Sequence, residues 1–195
     1  MIVSNQVSFL EFIFLEMAYG PVFTAIATRN GKYGLRKIGM FELPFYAIGI
    51  KFPREELNEA NFFTDITALR NSLYVKNRPI VVFPEGTKTN GRGILHIEDD
   101  IIKMIASCKE KVHTLRFDYD FQYASPYNST DVRGFKTVLK MLTQLRNSML
   151  VQYYFNVEEK LSNASTTIDP GAQYQILRST MMSRGKMYGL KLTYK

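Results

Sequence analysis

Apolar positions along this chain follow two different periods. Phe9, Leu10, Ile13, Phe14 and Met17 recur at helical spacing, with Ser4 and Asn5 ahead of them as caps and Gly20-Pro21 as a stop. Leu115, Phe117, Tyr119, Phe121 and Tyr123 instead alternate with Arg116, Asp118, Asp120 and Gln122, which predicts a strand. Ile2-Val3 and Val22 to Thr28 read as short strands, and Pro79 to Phe83 as a buried one. The apolar run from Leu35 to Ile50 carries Pro44 and predicts a kinked or broken helix. Glu55 to Val75 predicts a long amphipathic helix. Residues 97 to 108 predict another, with Glu98, Asp99 and Asp100 favourable in its first turn. Further on, Phe135 to Leu145 and Pro170 to Met182 read as helices, and Met149 to Phe155 and Tyr188 to Tyr194 as strands. Strands alternating with helices predict an α/β fold, a mostly parallel open sheet flanked by helices, in one domain over 1–195.

Composition narrows the class. The 195 residues are 46% hydrophobic, enough for one domain with a real core. Lys and Arg exceed Asp and Glu by 25 to 18, a net charge of +7. That excess fits either a generic basic surface or attraction to phosphates on a lipid headgroup, coenzyme A, a membrane or nucleic acid. No basic run, zinc pattern or RNA-binding signature is present, so nucleic acid is not an expected partner. Cys108 is the lone cysteine, which excludes an internal disulfide. No stretch of 18 or more apolar residues occurs, so no spanning helix is predicted.

Candidate chemistry concentrates in Val82-Phe83-Pro84-Glu85-Gly86-Thr87-Lys88-Thr89. A buried strand stops at a proline, and a carboxylate, a glycine and a small hydroxyl follow at once. The carboxyl end of a strand is where open α/β sheets place their sites. The block resembles the Phe-Pro-Glu-Gly-Thr-Arg-Ser motif of the glycerophospholipid acyltransferases, which move an acyl chain from acyl-CoA to a lysophospholipid hydroxyl. The resemblance implies that Glu85, Gly86, Thr87 and Lys88 meet the acceptor, with Lys88 keeping the arginine's charge but losing its bidentate geometry.

A first family block, Asn-His-x-Ser-x-x-Asp, has its counterpart in Asn5-Gln6-Val7-Ser8-Phe9-Leu10-Glu11. Gln6 stands where the family has its basic histidine, and Glu11 replaces the aspartate. Glutamine cannot take a proton near neutral pH. Glu11 is then the nearest substitute base, although Ser8-x-x-Glu11 before an apolar run is also a helix capping box. Gly49-Ile50-Lys51-Phe52-Pro53-Arg54 is similar to the second block, which makes Arg54 the expected phosphate contact and Lys51 its rival. Val112-His113-Thr114-Leu115-Arg116 occupies the place of the fourth.

Over residues 2–120 the chain is most similar to the divergent fungal branch that acylates lysophosphatidic acid from oleoyl-CoA. The resemblance implies acyl-CoA as co-substrate without another cofactor or a metal, a lysophospholipid acceptor, and a membrane surface as partner. It also implies the cytosolic face of the endoplasmic reticulum or of lipid droplets, and an N-terminal strand and anchor ahead of Met1. A non-catalytic lipid-binding or trafficking protein that keeps the fold after losing the histidine is the alternative.

Overall fold

The computed structural model describes residues 1–48, 61–89, 93–108, 110–119 and 148–154, with isolated positions at 139, 143, 175, 179, 188 and 189. In chain order the elements are β1 (Ile2–Ser4), α1 (Leu10–Tyr19), β2 (Val22–Arg29), β3 (Lys32–Lys37), α2 (Leu43–Ile48) and α3 (Ile66–Asn71). Then come β4 (Ile80–Val82), β5 (Gly93–Ile94), α4 (Asp99–Ala106), β6 (His113–Tyr119), β7 (Met149–Tyr154) and β8 (Tyr188–Gly189).

Six strands form one sheet in the order β3-β2-β4-β1-β6-β7. The inner pairs β2–β4, β4–β1 and β1–β6 are parallel, and antiparallel β3 and β7 close the edges. This is the α/β architecture that the alternation of strands and helices predicts. β5 and β8 form a separate two-stranded pair.

Strand side chains alternate between two cores. Ile2, Val81, Phe83, Leu115 and Phe117 pack on one face with Phe12 and Leu15 of α1. Val3, Ile80 and Val82 pack on the other with Leu69 of α3 and Ile101, Ile102 and Ile105 of α4. α1 ends as the sequence predicts, at Gly20, whose φ of 50° is left-handed and whose amide bonds the Glu16 carbonyl.

Three expectations need correction. Ser4 lies in β1 and the Asn5 side chain bonds Phe117, so neither caps α1, which begins at Leu10. Leu35 does not start a helix; it lies inside strand β3, and among the described residues of that run only Leu43–Ile48 is helical. The reason is a hairpin. Asn30 and Gly31 both take positive φ, 49° and 74°, and return the chain as the edge strand β3. The expected helix from Glu55 to Val75 shrinks, within the described residues, to α3. Phe63 pairs with Leu35 as an isolated bridge, and Asp65 caps α3 by accepting the Thr67 amide at 3.1 Å. The expected helices at 135–145 and 170–182 fall almost wholly outside the described residues.

Candidate functional site

β1 and β4 are neighbours in register, Ile2 opposite Val81 and Val3 opposite Val82. From β1 the chain runs through α1 to β2, on one side of β4; from β4 it runs through α4 to β6, on the far side of β1. The two connections leave in opposite directions and cover opposite faces. The carboxyl edge between β1 and β4 is therefore the topological switch point of this sheet, where such sheets place ligands. The two sequence blocks leave β1 and β4 at this edge, and the Thr89 amide bonds the Gln6 carbonyl at 2.8 Å to join them.

Within the first block, Asn5 is structural. Its side-chain amide donates to the Phe117 carbonyl at 3.0 Å and its oxygen accepts the Phe117 amide at 2.8 Å. The side chain thus prolongs the β1–β6 ladder beyond the end of β1. Glu11, fully buried, turns back on the start of its own helix. Its carboxylate accepts the Val7 amide at 3.2 Å, the Ser8 amide at 2.9 and 2.8 Å, and the Tyr119 hydroxyl at 2.7 Å. This is the glutamate arm of the capping box. Burial lifts the Glu11 carboxyl to about 7, against the opposing pull of these donors and of the Lys88 charge.

Gln6 is also buried, and its side-chain oxygen has no hydrogen-bond partner among the described residues. Glu85 is buried in the turn after β4, and neither of its carboxyl oxygens makes a well-formed hydrogen bond. Burial pushes Glu85 up to about 8; the Leu95 amide and Thr89 hydroxyl lie near enough to offset only a part of that rise. Gly86 closes the turn with its amide on the Phe83 carbonyl at 3.1 Å and a φ of 66°. A Cβ there would meet Ile26 Cδ1 at 3.3 Å. Thr87 is half-exposed beside it.

Lys88 reaches across to α2 and donates to the Ala47 carbonyl. Burial lowers its ammonium to about 8, and Glu11 partly restores it. The structure therefore gathers Gln6, Glu11, Glu85, Gly86, Thr87 and Lys88 at one sheet edge. Arg54 and Lys51 lie outside the described residues.

Two residues were not marked as site residues by the sequence. Tyr119 shares the face of Leu115 and Phe117, and the strand's period of two placed it over α1. Arg116, expected on the polar face, is only 1% exposed; its Nε and Nη1 have no partner, and Nη2 lies 3.3 Å from Asp118. The adjacent Thr114 hydroxyl is likewise buried and unpartnered.

A cavity of about 450 Å³ opens at the opposite, amino edge, lined by His113, Arg70, Glu110 and Tyr153 among others. Within its lining Arg70 Nε pairs with Glu110 at 2.6 Å. His96 is half-exposed before α4. Among the described residues no cluster of three or more His, Cys, Asp or Glu is placed to hold a metal, and no helix is long and apolar enough to cross a membrane.

No family model, no curated protein and no solved structure matches this chain.

Proposed function

We propose that this protein transfers an acyl group from acyl-CoA to the hydroxyl of a lysophospholipid, with lysophosphatidic acid as the acceptor and phosphatidic acid as the product. Glu85 supports this reading more than any other residue. A buried carboxyl with no well-formed hydrogen bond on either oxygen is costly to keep, and it sits at the switch point of the sheet. Gln6 adds an unpartnered acceptor oxygen on the neighbouring strand exit. Buried polar groups that lack well-formed partners call for a ligand that hydrogen-bonds with them, and a glycerol hydroxyl both donates and accepts.

The reaction needs the acceptor oxygen to attack the thioester carbonyl, and the C–S bond to break as CoA leaves. The hydroxyl proton must be held meanwhile. Gln6 can orient the hydroxyl but cannot take its proton. Glu11, the substitute base expected from sequence, has its oxygens engaged by Val7, Ser8 and Tyr119. We therefore assign proton uptake to Glu85, and transfer of that proton to the departing CoA sulfur. Lys88 and Arg54 supply charge for the acceptor phosphate.

Gln6 itself favours the second reading, a lipid-binding protein without turnover. Release of the CoA thiol from oleoyl-CoA, with and without lysophosphatidic acid, separates the two. The expected result is acceptor-dependent release that increases in Gln6→His, since a positioned base contributes roughly 10²–10⁴-fold. Lysophosphatidic acid binding with no CoA release in either protein would leave the lipid-binding reading.

A further inference from the structure

We propose that Thr114 and Arg116 of β6 form a buried site for a phosphate-class oxyanion, on the sheet face that α4 covers. Among the described residues, the buried side-chain atoms without a well-formed hydrogen bond belong to Gln6, Glu85, Thr114 and Arg116. All four lie on or just beyond β1, β4 and β6, three neighbours at the centre of the sheet. Gln6 and Glu85 belong to the candidate site. Thr114 and Arg116 are left over, and both carry donors.

Register fixes where these two lie. Thr114 is opposite Val3, which packs in the core with Ile101, Ile102 and Ile105 of α4. Arg116, two residues on, shares that face, because side chains alternate along a strand. Leu115 and Phe117 point the other way, into the core with α1. The two side chains therefore leave the strand roughly 7 Å apart, two strand rises. β1 ends at Ser4, opposite Leu115, so Arg116 stands one residue past that end, at the carboxyl rim. Its Nη2 lies 3.3 Å from Asp118, whose side chain is 36% exposed, so the guanidinium ends close beneath solvent.

Charge and donor count define the occupant. A guanidinium carries five N–H donors. The contact with Asp118 leaves Nε and Nη1 without a partner among the described residues. A buried cation short of partners is costly, and a bound ion is one of the few things that completes it. The Thr114 hydroxyl adds a donor on the same face. Donors spread over two nitrogens and a hydroxyl suit a tetrahedral anion with several acceptor oxygens, and arginine is the residue that pairs best with phosphate. Lys88, assigned above to the acceptor phosphate, bonds Ala47 of α2, which packs in the core on the other face. The Arg116 site is thus a second place for a phosphate, and it stands without the acyl-transfer reading.

Thermal melting at fixed ionic strength, with chloride exchanged for inorganic phosphate or for glycerol 3-phosphate, reads occupancy without any activity assay. The expected result is a melting temperature that rises with phosphate and not with chloride. Arg116→Met keeps an apolar stem in place of the cation. It should fold as well as the native chain without phosphate and bind phosphate at least about tenfold more weakly. Thr114→Val removes one hydroxyl and should weaken binding by a smaller factor; it repeats the measurement if Arg116→Met does not fold. Tighter binding of glycerol 3-phosphate than of phosphate assigns the site to an esterified headgroup, and equal or weaker binding assigns it to the free ion. No phosphate-specific rise in the native chain, or a rise that the folded variants keep in full, overturns the proposal.

Discussion

Glu11 and Glu85 are both buried, both raised well above an ordinary carboxylate, and both at the carboxyl edge of the parallel strands, yet they live in opposite circumstances. Glu11 receives two backbone amides and a tyrosine hydroxyl, and it fixes the start of α1 against β6. Glu85 receives no well-formed hydrogen bond. Burial alone therefore does not mark a functional carboxylate. A raised proton affinity has the same first cause in both, desolvation, and only the count of satisfied oxygens tells them apart. Glu11 closes the start of its own helix; Glu85 does not, and in the acyl-transfer reading it is the carboxyl left for a ligand.

The largest expected effect lies in the pH dependence of Glu85→Gln. Folding raises Glu85 from 4.5 to about 8, so the native state binds the proton more tightly than the unfolded chain. Stability contributed by that group falls as pH rises from about 4.5 through about 8 and stays low above it. Removing the acid should make the variant more stable than the native protein above pH 8, by up to about 4 kcal/mol, with the gap shrinking toward pH 5. Urea unfolding at several pH values checks this. A gap of the same size at every pH would mean that Glu85 is not buried with an unmet charge.

Glu11→Ala should act in the other direction. It strips the partner from two buried amides and a buried hydroxyl, at about 1–3 kcal/mol for each group left unsatisfied, and solvent entry will recover some of that. A loss of at least about 2 kcal/mol is expected at pH 6, below the carboxyl's value of about 7, where deleting the acid relieves little ionised charge. A variant as stable as the native chain would erase the distinction between the two glutamates.

Gly86→Ala sharpens the Glu85 half of the comparison. The position holds a φ of 66° and a 3.3 Å approach to Ile26. The strain should cost about 1–2 kcal/mol and displace the Glu85 turn. Activity should fall further than that stability loss alone explains. Tyr119→Phe is the mildest change. It removes one of the Glu11 donors and should cost on the order of 1 kcal/mol, with acyl transfer retained. Loss of acyl transfer in a fully folded Tyr119→Phe would move the hydroxyl, and Glu11 with it, into the reaction.

How legible this was in the sequence depends on the element. The buried strands and the Pro-Glu-Gly exit were readable because a short apolar run ending in turn residues has few other outcomes. The Ser8-x-x-Glu11 box was readable as a cap, and the bonds from Val7 and Ser8 to Glu11 have that form. The β2–β3 hairpin was missed although Arg29-Asn30-Gly31-Lys32 carries the strongest short hairpin signal. The apolar run behind it, from Leu35 to Ile50, outweighed that signal and read as a helix. Burial of Arg116 was also illegible. A period of two separates the faces of a strand but does not say that both are covered, as they are in an inner strand of an α/β sheet. The unpartnered state of Glu85 against the fourfold contacts of Glu11 was beyond any sequence pattern, because the contacts come from Tyr119, 108 residues away, and from local backbone geometry.

Glu85→Gln decides between ligand-binding and scaffold roles when melting and acyl transfer from oleoyl-CoA to lysophosphatidic acid are measured on the same preparation at pH 8. We expect an unchanged or higher melting temperature together with at least a tenfold loss of acyl transfer. A melting temperature that falls in step with activity, or full activity without the carboxylate, would contradict the separation of Glu85 from Glu11.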